Sequence, residues 1–208
     1  MLVYIKSLLG KILVHQLMIP CVQSQNSFES YVGVMSAARD EIFYAAAEEV
    51  NERLAFIFLC LTEINSLAEQ HYRNMQGIAA GRFSLENPGI HQSIFLRIKF
   101  FTDAIYINAF RVREILRHKD RMLPGLANFE AKGVRDVRNN LLIHPEGKGS
   151  KILSISFMWD RRVGSIIKPK RLEHEAGRHV YQGLLPNMEE FFRSFEETVS
   201  LASSAQSA

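Results

Sequence analysis

Residues 43–68 read FYAAAEEVNERLAFIFLCLTEINSLA, and the placing of their apolar side chains decides the fold. Phe43, Ala47, Val50, Leu54, Ile57, Leu61, Ile64 and Ala68 follow one another at alternating spacings of four and three. Residues three and four apart are neighbours on an α-helix, so all of these positions share one strip of its surface. A strip this long predicts one extended helix lying lengthwise against others, which is the pattern of a helical bundle. Ser36, with Asp40 and Glu41 close behind, offers a start, since a hydroxyl caps an N-terminus and acids favour the positive end of the helix dipole. The strip ends before Gly77 and Gly81.

Working outward, Asn87-Pro88 is a cap followed by a proline at the first helical position. The helix it opens carries Ile94, Ile98, Phe101, Ile105, Ala109, Val112 and Leu116 on one face until Pro124-Gly125 breaks it. A shorter helix from about Asn128 carries Val134, Val137 and Leu141. It is expected to end near Ile143, because the residue before Pro145 is pushed out of helical geometry. After Gly147 and Gly149 the period becomes two: Leu153, Ile155, Phe157 and Trp159 alternate with Ser154, Ser156 and Met158. That predicts a strand, and a turn through Asp160 to Gly164 makes it a β-hairpin over about 151–168. A last helix turns Val180, Leu184, Met188, Phe191, Phe192, Phe195 and Val199 inward, with a kink or a fresh start at Pro186.

The first twenty residues are apolar enough to imitate a signal peptide, but Lys6 and Lys11 interrupt them and no small-residue cleavage site follows. Leu2, Ile5, Leu9, Ile12 and Leu13 fit a helical stripe. The expectation is an extra amphipathic helix with a loose linker near Gln23 to Ser30, giving an appendage over 1–30 and a helical domain over 31–208. At 208 residues, with 47% hydrophobic and 23% charged residues, the chain suits one globular domain and not a disordered one. Cys21 and Cys60 are too few for a disulfide framework, so a cytoplasmic setting is expected. No apolar run is long enough to span a membrane. The net charge of +3 excludes little, but its distribution is uneven. Lys148, Lys151, Arg161, Arg162, Lys168, Lys170 and Arg171 face a single acid, Asp160, within 148–171.

That basic stretch follows directly on the segment that concentrates chemistry: Arg138-Asn139-Asn140-Leu141-Leu142-Ile143-His144-Pro145. Arginine is a fixed cation with a fork of donors that fits phosphate oxygens. Histidine takes up and releases a proton near neutral pH. Asparagine can hold either one, or a ribose hydroxyl, in register. Residues six apart lie about 120° apart on an ideal helix, but Pro145 releases His144 from that geometry. Arg135 and Asn140 extend the polar stripe opposite Val134, Val137 and Leu141. The same residues also read as an ordinary solvated helix face with a histidine at its C-terminal end.

Arg138-Asn139 followed by His144 late in the third helix of a bundle resembles the HEPN family (higher eukaryotes and prokaryotes nucleotide-binding). The resemblance covers roughly Ser36 to Leu201. It implies a mainly α fold, an HEPN-like four-helix bundle with the β-hairpin inserted between the third and fourth core helices and an extra N-terminal helix. It also implies a metal-independent endoribonuclease of toxin or defence character, a homodimer in which two motifs face one RNA cleft. His144 would then be general base or acid, Arg138 would stabilise the pentavalent phosphorane and Asn139 would orient the pair. Arg135, Asn140, Lys148, Lys151, Arg161 and Arg162 would hold RNA, with no cofactor and no metal. An antitoxin or another protein partner is expected. In members silenced by AMP transfer a tyrosine stands two residues past the histidine; here that place is Glu146, so such silencing is not expected. The alternative is a non-catalytic HEPN-like bundle that binds a nucleotide, RNA or a protein.

Elsewhere, His71, His91 and His118 lack a second ligand at zinc spacing. His174 with Arg178 and Glu175 with His179 read as surface pairs. Arg111, Arg113, Arg117, His118, Lys119 and Arg121 form a run able to hold phosphates or to sit as a solvated helix end.

Overall fold

The computed structural model of the chain describes residues 2–36, 40–79, 81, 88–118, 122–138, 155–160, 164–169 and 184–206. Among them run α1 (Leu2–Met35), α2 (Glu41–Ala79), α3 (Pro88–His118), α4 (Lys132–Val137), β1 (Ile155–Asp160), β2 (Gly164–Pro169) and α5 (Leu184–Gln206). The described residues are mainly helical. α2 packs on both α1 and α3, and α1 packs on α5, which makes a bundle of the four long helices.

The strip on α2 is buried at every position from Phe43 to Ile64, with Ala68 half-buried. The cap is Asp40 and not Ser36. A carboxylate oxygen of Asp40 accepts the Phe43 N–H at 3.0 Å, while the Ser36 hydroxyl donates to the Gly33 carbonyl at 2.9 Å and closes α1. A carboxylate at this place also adds charge at the positive end of the helix dipole. α2 runs past its expected end, through buried Gly77 to Ala79. α3 begins at Pro88, and its predicted face is buried except for half-buried Phe101.

α1 departs most from expectation. It is one continuous helix through Pro20 and through 23–30, where the polar composition reads as a linker. Leu17, Cys21, Ser24, Phe28, Tyr31 and Met35 are buried. The Tyr31 hydroxyl donates to the Pro124 carbonyl at 3.0 Å, and the Ser27 hydroxyl to Glu196 at 2.6 Å. Phe28 lies 5.9 Å from Phe195 on α5. The boundary at residue 30 therefore falls inside a core helix. α2 covers one side of it and α5 another, so Gln23, Asn26, Glu29 and Ser30 take the exposed arc while Ser24 is buried.

α4 starts at Lys132, later than Asn128, because the residues before it are committed to turns. Leu126 N–H bonds the Leu123 carbonyl and Phe129 N–H bonds the Leu126 carbonyl. These turns sink Leu123, Leu126 and Phe129 into the core, where Phe129 meets Phe191 and Phe195 edge-on at 5.4 and 5.7 Å. Each such ring stabilises the fold by roughly 1.5–3 kcal/mol through burial. Gly125 turns the chain at φ +81°, and a Cβ there would stand 2.9 Å from Ala202 Cβ. The expected end of this helix near Ile143 lies outside the described residues. β1 pairs antiparallel with β2, Phe157 opposite Ile167 and Asp160 opposite Gly164. α5 starts at Leu184 and holds Pro186 in its first turn, where the missing N–H has no helical acceptor. That makes Pro186 part of a fresh start. The expected inward residues from Leu184 to Val199 are buried, and Val180 lies outside the described residues.

Candidate functional site

The placing of Arg138 begins with a glycine. Gly133 brings α4 against α5 so closely that a Cβ there would stand 2.4 Å from Asn187 Oδ1. Asn187 is itself fixed, its side-chain amide donating to the buried Tyr106 hydroxyl of α3 at 2.9 Å. With Val134 and Val137 buried in this joint, the helical backbone continues to Arg138 at φ −58° and ψ −49°. The Arg138 guanidinium then lies over the Phe110 ring of α3, 4.3 Å from its centroid. A flat cation on a ring face gains about 0.5–1 kcal/mol at an exposed site and more as water is excluded. Arg135 points elsewhere, its Nε 3.3 Å from Asp136.

Below Arg138 a cleft of about 740 Å³ opens between α2 and α3. Ile42, Ile107, Ile115 and Met122 are among its apolar walls, and Glu49, Arg53, Arg111 and Glu114 bring charge into it. One oxygen of Glu49 accepts from Arg111 Nε at 3.0 Å and from Arg53 Nη2 at 3.5 Å. The Arg111 hydrogen bond, with the charges of Arg111 and Arg53, outweighs partial desolvation and holds the Glu49 carboxyl below its ordinary range. Arg53 also donates to Asn108 at 3.0 Å, while its buried Nε has no hydrogen-bond partner among the described residues.

The adjoining basic run divides by burial. Arg111 is exposed and faces the cleft. Arg113 is only 7% exposed; it donates to Glu114 at 2.7 Å and sits 3.7 Å from Glu130. Arg117 pairs with Glu130 and reaches the Phe129 carbonyl. Arg113 and Arg117 thus tie the segment before α4 onto α3; Arg113 is buried in doing so, while Arg117 stays partly exposed beside exposed Glu130. Burial pushes the Cys21 thiol up to about 12, and burial followed by Glu63 pushes Cys60 to about 11, so neither is a thiolate nucleophile at neutral pH. Among the described residues no three His, Cys, Asp or Glu side chains gather as a metal site, and no helix is long and apolar enough to cross a membrane.

Of the residues expected to act, Arg138 and Arg135 are described, and only Arg138 reaches the cleft. Asn139, Asn140, His144, Lys148, Lys151, Arg161 and Arg162 lie outside the described residues. Glu49, Arg53, Phe110 and Glu114 complete the site without having been singled out in the sequence. The Glu49–Arg53 pair, four apart on α2, was a visible signal, and Arg111 stood in the basic run. Compared with protein-family models, with curated proteins and with solved structures, the chain matches none.

Proposed function

We propose that the chain is an HEPN-like, metal-independent endoribonuclease of toxin or defence character, acting as a homodimer in the cytoplasm. The observation that supports this best is the seating of Arg138, a half-exposed guanidinium anchored on Phe110 at the rim of a charged cleft. A cation already held in place loses less freedom when it meets a phosphate. In this reading His144 removes the proton of a ribose 2′-hydroxyl, whose oxygen attacks the adjacent phosphorus. The bond to the 5′-oxygen breaks, and the charged imidazole returns its proton to that oxygen. The products are a 2′,3′-cyclic phosphate and a 5′-hydroxyl. Arg138 stabilises the phosphorane charge and Asn139 orients the pair. Arg135, Asn140, Lys148, Lys151, Arg161 and Arg162 hold the flanking strand, the last three from a β-hairpin inserted before the final core helix.

The test is cleavage of single-stranded RNA in EDTA by the wild type, Arg138→Ala and His144→Ala. Each substitution is expected to lower the rate by about a hundredfold or more. Activity that survives both, or that appears only with a divalent metal, overturns the mechanism. One observation favours a second reading, a non-catalytic HEPN-like bundle that binds RNA, a nucleotide or a protein such as an antitoxin. Arg138 spends one face of its guanidinium on Phe110 within its own chain. A protein that binds RNA and never cuts it selects this second reading.

A further inference from the structure

We propose that the cleft between α2 and α3 is a phosphate-binding pocket in which Glu49 occupies the anion's place. The proposal deepens the RNA reading above and rests on it for one of two phosphate sources, the 5′-terminal phosphate of an RNA strand; the other is a free nucleotide. Two guanidiniums, Arg111 and Arg53, converge on a single carboxylate oxygen, so one positive charge is left over at that point. Among the described residues the buried Nε donor of Arg53 has no acceptor. Glu114 does little to offset the surplus, being engaged with buried Arg113 at 2.7 Å. A phosphate monoester carries about −1.5 to −2 at neutral pH and three acceptor oxygens. It therefore answers both forks where Glu49 answers each with one shared oxygen. The space is of the size that takes a small organic ligand, about 740 Å³, and Ile107 and Met122 give the apolar wall a base or ribose needs.

In this arrangement Glu49 competes with the ligand. Removing its charge strengthens binding, which is the opposite of what a carboxylate contributing only stability would do. Calorimetric titrations with inorganic phosphate, AMP and a short 5′-phosphorylated single-stranded RNA on the wild type, Glu49→Gln and Arg111→Gln test this. Glu49→Gln is expected to tighten binding by about tenfold, and Arg111→Gln to abolish it with the thermal midpoint nearly kept. Tightening for AMP and phosphate identifies a free nucleotide, and tightening for RNA alone identifies a strand phosphate; either supports the pocket. Binding that is absent in both wild type and Glu49→Gln, or that weakens in Glu49→Gln, overturns it. RNA cleavage by His144→Ala separates the two readings. If the Glu49 effect holds while no variant cuts RNA, the pocket stands and the nuclease falls. If cleavage depends on His144 while binding ignores Glu49 and Arg111, the pocket alone falls.

Discussion

Glu49 joins α2 to α3 through Arg111, and its lowered carboxyl gives that tie a pH dependence of definite sign. A carboxyl that binds its proton less readily folded than unfolded stabilises the fold above its ordinary value of 4.5. The contribution disappears as the pH falls through the lowered value. Glu49 and its partners are a third or more exposed, so solvent screening limits the effect to at most about 1 kcal/mol. Glu49→Gln should lower the thermal midpoint near neutral pH by no more than about 2–4 °C. Its gap from the wild type should close as the pH falls below 4.5; a gap that stays constant in thermal melts across that range refutes the assignment. Arg138 was legible in the sequence because its neighbours Asn139 and His144 are local. The Glu49–Arg111 tie was not, since its partners are 62 residues apart and no short-range spacing encodes which arginine crosses to which glutamate.

The helices were legible where the buried strip is apolar at every step. On α2 and α3 the buried residues recur without a break at intervals of three and four, and exposed apolar side chains such as Phe56, Leu59, Leu96 and Phe100 do not hide that strip. α1 hid its role because Gln23, Ser24, Gln25, Asn26 and Ser27 look like linker composition. Yet Leu17, Cys21, Ser24, Phe28, Tyr31 and Met35 carry the same four-and-three rhythm once Ser24 is allowed into it. Phe28 tests the point. As a core ring against Phe195 and Tyr31 it should cost about 3–5 kcal/mol when replaced by alanine. The exposed Ser30→Ala on the same helix should change stability by less than about 0.5 kcal/mol. Equal, small losses for both in denaturant unfolding would return this segment to the status of a linker.

Across the whole molecule, the bundle sets a polar cleft and Arg138 on one side of α3, while the basic residues of 148–171 follow Arg138 in the chain. If those residues hold RNA, charge reversal at Arg161 and Arg162 should weaken binding and flatten its dependence on salt, because fewer counterions are released per complex. Stability should change little. An unaltered salt slope in binding titrations removes this stretch from the RNA-binding surface. The Ser27–Glu196 hydrogen bond, made across 169 residues, carries one more consequence. A ribosome adds roughly 5–20 residues each second, so the side of α1 that faces α5 leaves the exit tunnel roughly ten to thirty seconds before its cover does. Through that interval Phe28 lacks its partner Phe195, so α1 is fully seated only once α5 has followed it.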